Sequence, residues 1–168
     1  VALMLDYTGS MYNAGPGNGS VIEQMVTASL NFIDDFPNSW RLALMEYHDR
    51  QQTNRLVHNF STSKDSLKEG LQEFQVPIGD NGASEVYDAV IDGGKRIENE
   101  DLGTLSFDDA DVRALIFVSD GRDTSSLASL EECITAATDR RVRLYPIGFG
   151  QNVNASPLIQ MATQTGGH

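Results

Sequence analysis

The sequence predicts an α/β fold: a doubly wound, mainly parallel central sheet with one antiparallel edge strand and helices on both faces. Short runs of consecutive apolar residues recur along the chain, as is typical of strands that are buried on both faces. Segments of helical periodicity, about 10–15 residues long, separate these runs and indicate crossovers between parallel strands. We find no internal repeat and no linker, so we expect a single domain over residues 1–168.

The strands are predicted from apolar runs and their surroundings. The runs cover residues 1–5, 42–47, 112–119 and 142–147. Residues 55–60 are more polar and are predicted to form the antiparallel edge strand, because an edge strand is less completely buried.

The helices are predicted from apolar residues at spacings of three and four. The first helix follows a loop rich in Gly, Asn and Pro, and Ser20 with Glu23 forms a capping box at its start. An acidic loop is expected from about Glu98 to Asp111. Ser156 is predicted to cap the last helix, with Pro157 at its first position. The apolar stripes of the five helices are Ile22, Met25, Val26 and Ile33; Leu67, Leu71 and Phe74; Val86, Ala89, Val90 and Ile97; Leu127, Leu130, Ile134 and Ala137; and Leu158, Met161 and Ala162.

Composition and charge narrow the range of partners. The chain has 12 basic and 24 acidic residues and a formal net charge of −12. Such a surface repels phosphate backbones and acidic lipids, so we expect no nucleic-acid partner. No apolar run approaches the roughly 20 residues of a membrane-spanning helix, so we expect no direct membrane insertion. Cys133 is the only cysteine, which excludes an intrachain disulfide.

Oxygen-bearing side chains follow two of the predicted strands. Asp6 follows the first strand and begins the segment that contains Thr8 and Ser10, and Asp120 follows the strand that ends at Ser119. Ser84 precedes a predicted helix and should lie at the same edge. In open α/β sheets, ligands bind outside the carboxyl ends of the strands, and we therefore expect these groups to converge there.

These five groups predict a metal site. Asp6, Thr8, Ser10, Ser84 and Asp120 offer oxygen and neither nitrogen nor sulfur, which is the donor set of a hard cation. Mg²⁺ is the expected occupant, and Ca²⁺ or Mn²⁺ can substitute. Taken singly, each motif also fits an ordinary turn or helix cap, and the metal interpretation depends on their order and placement at one edge.

The same motifs resemble those of the von Willebrand factor type A domain, whose metal-ion-dependent adhesion site is written Asp-x-Ser-x-Ser, then Thr, then Asp. Residues 6–10 match the first part with Thr8 in place of Ser. Residues 81–89 resemble the family's Gly-Gly-Thr-x-x-Tyr-Asp-Ala segment with Ser84 at the Thr position, and residues 117–121 resemble the segment with the last Asp. Thr8 thus stands where the family has Ser, and Ser84 stands where it has Thr. Both substitutions keep a hydroxyl group at the position.

The resemblance implies a binding module and not an enzyme. Ser10 and Thr8 would bind the ion directly, Asp6 and Asp120 directly or through water, and Ser84 when a partner is engaged. An acidic oxygen of a protein or glycan partner would complete the coordination. The family's common role in adhesion implies an extracellular or cell-surface location. The family continues into a further strand and a terminal helix, so we expect the chain to be one such domain cut from a longer protein.

Two other functions are kept as alternatives. Related domains partner ATPases and chelatases, which would make the chain an intracellular assembly subunit. A Mg²⁺-dependent phosphotransferase of the haloacid-dehalogenase type also places an Asp after its first strand. That chemistry needs a second Asp two residues later, where this chain has Thr8.

Overall fold

The computed structural model describes residues 1–8, 11, 21–48, 55–73, 84–104, 112–149 and 153–168. The strands are β1 (Ala2–Asp6), β2 (Leu42–Tyr47), β3 (Arg55–Ser61), β4 (Arg113–Ser119) and β5 (Val142–Gly148). The helices are α1 (Val21–Asp35), α2 (Lys64–Gly70), α3 (Val86–Thr104), α4 (Leu130–Asp139) and α5 (Ala155–Thr165), and a short 3₁₀ turn at Leu71–Glu73 follows α2.

The five strands form one sheet in the order β3-β2-β1-β4-β5. The pairs β1–β2, β1–β4 and β4–β5 are parallel, and β3 alone runs antiparallel to its neighbour β2. The predicted fold class, including the antiparallel edge strand, is therefore confirmed. Strands β1, β2 and β4 form the centre of the sheet. Their apolar runs are continuous because both faces of these strands are covered.

The apolar side chains divide into two cores, one on each face of the sheet. Met4, Phe117 and Met161 belong to the core under α3, α4 and α5. Leu5, Met25 and Leu67 belong to the core under α1 and α2. Successive residues of β1 point to opposite faces, as the period of two in a strand requires, and Asp6 therefore lies on the same face as Met4.

Three helix boundaries differ from the predictions. The acidic loop expected from Glu98 begins later, because α3 continues to Thr104. The chain has no Pro or Gly between Glu98 and Leu102 that would end the helix, and Glu98 forms an ion pair with Arg140, the residue that follows α4. Acidic composition is thus a poor indicator of a loop here.

The other two differences concern helix starts. Leu127 lies in the loop before α4, which begins at Leu130 with a capping box formed by Ser129 and Glu132. Helix α5 begins at Ala155, so Pro157 occupies the third helical position. Proline is tolerated there because the first N–H groups of a helix have no acceptor within the helix. The predicted capping box at Ser20 lies outside the described residues.

Within the described residues, no helix is long and apolar enough to cross a membrane.

Candidate metal centre

The two carboxylates predicted for the site lie at the same edge of the sheet. Asp6 is the last residue of β1, and Asp120 follows β4 directly. Strands β1 and β4 are parallel neighbours with Met4 opposite Phe117, so both strands end at the same edge. Both aspartates are buried, Asp6 completely, and they lie close enough together for the charge of Asp120 to act on Asp6.

Both carboxylate oxygens of Asp6 accept hydrogen bonds. The backbone N–H of Thr8 donates to Oδ1 over 2.9 Å, and the Thr8 hydroxyl donates to the same oxygen over 2.5 Å. The Tyr47 hydroxyl donates to Oδ2 over 2.6 Å. Tyr47 stands opposite Asp6 in the pairing of β1 with β2, which brings its ring to the same face of the sheet. The orientation of Asp6 is therefore set at both of its oxygens.

Burial opposes the negative charge of Asp6. Desolvation raises the pKa of Asp6 from its ordinary 3.8 to about 6, and the negative charge of Asp120 acts in the same direction. The hydrogen bonds from Thr8 and Tyr47 act against this rise. Burial also raises the pKa of the Tyr47 hydroxyl well above its usual value, so Tyr47 remains a proton donor at neutral pH.

Ser84 is held against the loop that follows Asp120. Its carbonyl accepts hydrogen bonds from the N–H groups of Thr124 and Ser125, at 3.0 and 3.1 Å. Its own N–H donates to the Thr124 hydroxyl over 2.8 Å. The backbone before α3 and the β4–α4 loop are thus joined, which places Ser84 on the side of the site formed by Asp120.

The Ser84 hydroxyl is buried, and its oxygen has no hydrogen-bond partner among the described residues. A buried hydroxyl without a partner costs stability, and such groups are uncommon in folded proteins. A ligand oxygen or a cation would satisfy it.

A second set of hydrogen bonds joins the loop between β4 and α4 to the first turn of α3, about one helical turn after Ser84. The Asp88 carboxylate accepts hydrogen bonds from the N–H groups of Leu127 and Ala128, at 2.7 and 3.1 Å. In the opposite direction, Asp123 accepts from the N–H of Tyr87 over 3.0 Å. The N-terminal turn of α3 and this loop therefore hold each other in position.

We expect Asp88→Asn to lower the free energy of unfolding by about 1–3 kcal/mol, because an amide can accept only one of the two N–H bonds at full strength. Chemical denaturation measures the loss. Asp92→Asn on the same helix is the matched control, since Asp92 is half exposed and pairs with Lys95 three residues on; its loss should be below about 1 kcal/mol. Equal losses in the two variants would show that Asp88 does not anchor the loop.

Four of the five predicted site residues are described, and the structure brings these four to one edge of the sheet. Asp6 and Thr8 are hydrogen-bonded, Asp120 acts on Asp6 through its charge, and Ser84 is bonded to the loop after Asp120. Ser10 lies outside the described residues. Sequence reasoning missed Tyr47 and Asp88, which contact residues 41 and 39 positions away in the chain.

The described residues fit a hard cation. No Lys, Arg or His in the described part of the chain forms an ion pair with Asp6 or Asp120. Two buried carboxylates near each other need a positive charge or a proton. The donors around them are hydroxyl oxygens, and such a set selects Mg²⁺, Ca²⁺ or Mn²⁺ over softer ions.

Comparison with known proteins identifies the family. The profile of the von Willebrand factor type A domain matches residues 1–168. The chain therefore belongs to the von Willebrand factor type A domain family. No curated protein matches it.

Solved structures share the fold at low sequence identity. BatB, a conserved hypothetical protein from Bacteroides thetaiotaomicron, is 13% identical with a TM-score of 0.73, and the match covers 99% of this chain and 86% of that one. Manganese-loaded TRAP protein from Plasmodium vivax is 18% identical with a TM-score of 0.71, over 96% of this chain and 61% of TRAP. Proximal thread matrix protein 1 from the mussel byssus, described with a zinc-occupied MIDAS motif, is 17% identical with a TM-score of 0.75, over 96% of this chain and 41% of that protein.

The chain thus spans less than two thirds of the TRAP and mussel chains, and these likenesses establish the fold. Each of those two proteins carries a divalent metal in the structure compared. Domains of this family are generally binding modules and not enzymes.

Proposed function

We propose that the chain is a metal-dependent binding module that holds Mg²⁺ between Asp6, Thr8, Ser10, Ser84 and Asp120. The ion would bind an acidic oxygen of a protein or glycan partner outside the cell or at its surface. The observation that carries the proposal is the completely buried Asp6 carboxylate, which lies near Asp120 and has no basic partner among the described residues. A divalent cation neutralises this pair of charges without excess.

The hydrogen bonds of Thr8 support its role as a ligand. The Thr8 hydroxyl donates its proton to Asp6, so a lone pair of its oxygen, and not its proton, can face a cation beside that carboxylate. Ser84 contributes a buried hydroxyl oxygen that no described group satisfies. Hydroxyls are weak, uncharged donors, and with only two carboxylates the ion would remain electrophilic enough to bind an acidic group of a partner.

The arrangement at Asp6 disfavours the phosphotransferase alternative. A nucleophilic aspartate needs a free oxygen directed at its substrate and a general acid nearby. Asp6 is buried with both oxygens hydrogen-bonded, and Thr8 stands where the second Asp of that chemistry would be.

Calorimetric titration with Mg²⁺ tests the proposal. We expect the wild-type chain to bind one Mg²⁺, and Asp120→Ala to weaken binding by at least about 100-fold, since even residues outside the direct ligand shell contribute 10–100-fold. No Mg²⁺ binding by the wild-type chain at millimolar concentration would show that the site is wrongly assigned.

Ser84→Ala separates ligation from folding. The substitution removes only a buried oxygen without a partner in the described residues, so we expect unchanged or higher stability of the metal-free chain and at least about tenfold weaker Mg²⁺ binding. Ser29→Ala is the matched control, because Ser29 is also buried but bonds to the carbonyl of Met25 within α1. Equal affinities of the Ser84 and Ser29 variants would remove Ser84 from the ligand set.

A further inference from the structure

Arg122 is an exposed cation at the edge of the sheet that carries the candidate metal centre. It lies two residues after Asp120, and its backbone N–H donates to Oδ1 of Asp120 over 2.9 Å. Its side chain is exposed and forms no ion pair with Asp120, or with any other group in the described part of the chain. The carboxylate of Asp120 therefore does not neutralise the charge of Arg122, although the two residues are joined through the backbone.

The backbone is fixed on both sides of Arg122. Before it, Gly121 packs so closely against the segment that precedes α5 that a Cβ atom would lie 2.2 Å from the carbonyl oxygen of Asn154. After it, the Asp123 carboxylate accepts a hydrogen bond from the N–H of Tyr87 over 3.0 Å, which ties the loop to α3. The side chain of Arg122 thus starts from a fixed position, so a contact with a partner would not need to order the backbone first.

The two carboxylates nearest to Arg122 in this loop and in the first turn of α3 are occupied by other donors. Asp123 accepts from the N–H of Tyr87 and, at 3.1 and 2.5 Å, from the N–H and the hydroxyl of Ser126. Asp88 accepts from two backbone N–H groups of the loop. Neither carboxylate forms an ion pair with Arg122, so the guanidinium is available to an acidic group from outside.

The metal centre by itself would carry no net charge. Asp6 and Asp120 bring one negative charge each, and a divalent ion between them balances both. The chain as a whole has a formal net charge of −12 and repels an acidic partner at long range. Arg122 supplies, at the same edge, the positive charge that the ion with its two carboxylates does not provide.

We propose that Arg122 is a partner-binding residue whose guanidinium binds the acidic group of the partner beside the metal centre. A guanidinium presents paired N–H donors that match the two oxygens of a carboxylate. This inference rests on the proposed metal-dependent binding function, and it adds to the ion a second contact that comes from the protein itself.

Two titrations of Arg122→Gln test the inference, and their effects should have opposite signs. Calorimetry at about 10 mM ionic strength, where the Debye length is about 30 Å, measures Mg²⁺ binding. Removal of a positive charge near the ion should tighten Mg²⁺ binding about two- to fivefold. NMR titration of the Mg²⁺-saturated chain with the peptide acetyl-Gly-Glu-Gly-amide should show roughly tenfold weaker binding, because a hydrogen bond to a charged group contributes about that factor.

Arg143→Gln is the matched control, because it makes the same change in net charge. Arg143 is exposed on β5 and stands opposite Ala114 near the start of β4, so it lies toward the other edge of the sheet. Since the Coulomb interaction falls with distance, both dissociation constants of this variant should stay within about twofold of the wild-type values.

The signs of the two effects distinguish partner binding from loop structure. Weaker peptide binding with tighter or unchanged Mg²⁺ binding supports the inference. Weaker binding of both Mg²⁺ and the peptide would show that Arg122 only holds the loop in place, and would overturn it. Unchanged peptide affinity in Arg122→Gln would also overturn it, as would a wild-type chain that binds Mg²⁺ and not the peptide. If the wild-type chain binds no Mg²⁺, the proposed function itself fails.

Discussion

Gly121→Ala should lower the free energy of unfolding by roughly 2–5 kcal/mol and weaken Mg²⁺ binding. Gly121 follows Asp120 and has φ +74°, a conformation that costs an L-residue about 1–2 kcal/mol. A Cβ atom there would lie 2.2 Å from the carbonyl oxygen of Asn154, and forced overpacking costs about 1–3 kcal/mol more. The N–H of Asn154 donates to the carbonyl of Asp120 over 2.8 Å, so relief of the clash would displace Asp120 itself.

Gly166→Ala separates the two causes. Gly166 has a similar φ of +77° at the end of α5, but a Cβ atom there would meet nothing within 4 Å. We expect this variant to lose only about 1–2 kcal/mol and to bind Mg²⁺ normally. Chemical denaturation and Mg²⁺ titration of both variants make the comparison. Equal losses would show that close contact with Asn154 does not determine the requirement for glycine at position 121.

Asp6→Asn should raise the free energy of unfolding of the metal-free chain by roughly 3 kcal/mol at pH 7. Burial raises the pKa of Asp6 from 3.8 to about 6, and each unit corresponds to about 1.4 kcal/mol. Asparagine removes the buried charge and can still accept from Thr8 through its oxygen. Its amide can donate to the Tyr47 oxygen, so a hydrogen bond between the two residues remains with its direction reversed.

The pH dependence follows from the direction of this shift. The folded chain binds the Asp6 proton more tightly than the unfolded chain, so the contribution of Asp6 to stability is fully present below pH 3.8 and is lost as the pH rises through about 6. The wild-type chain and the Asp6→Asn variant should therefore have similar stability near pH 4 and differ most above pH 6. Denaturation in the presence of a chelator measures this, and Asp92→Asn, at the half-exposed position on α3, is the control that should show no such divergence.

Added metal should reverse the order of stability. Mg²⁺ at 1,000 times its dissociation constant stabilises the wild-type chain by about 4.1 kcal/mol, which exceeds the advantage of the metal-free variant, whereas the Asp6→Asn variant should gain much less. If the variant is less stable than the wild-type chain at every pH without metal, the buried charge of Asp6 is not a cost to folding.

Much of the fold could be predicted because burial leaves a local pattern in the sequence. The apolar runs of β1, β2 and β4 are continuous because helices cover both faces of the sheet centre, and β3 is more polar because it lies at the edge. Helix ends are less predictable. The acidic segment after Glu98 continues α3, since charge does not end a helix without a breaking residue.

The α/β fold and the placement of Asp6 and Asp120 at one edge could be inferred from the sequence alone, because residues that follow parallel strands meet at the carboxyl end of the sheet. How the oxygens of those residues are held depends on tertiary contacts. The bonds from Tyr47 to Asp6 and from Ser84 to Thr124 join residues 41 and 40 positions apart. Such contacts depend on strand register and on the packing of α3 against the β4–α4 loop, and neither leaves a periodic pattern in the sequence.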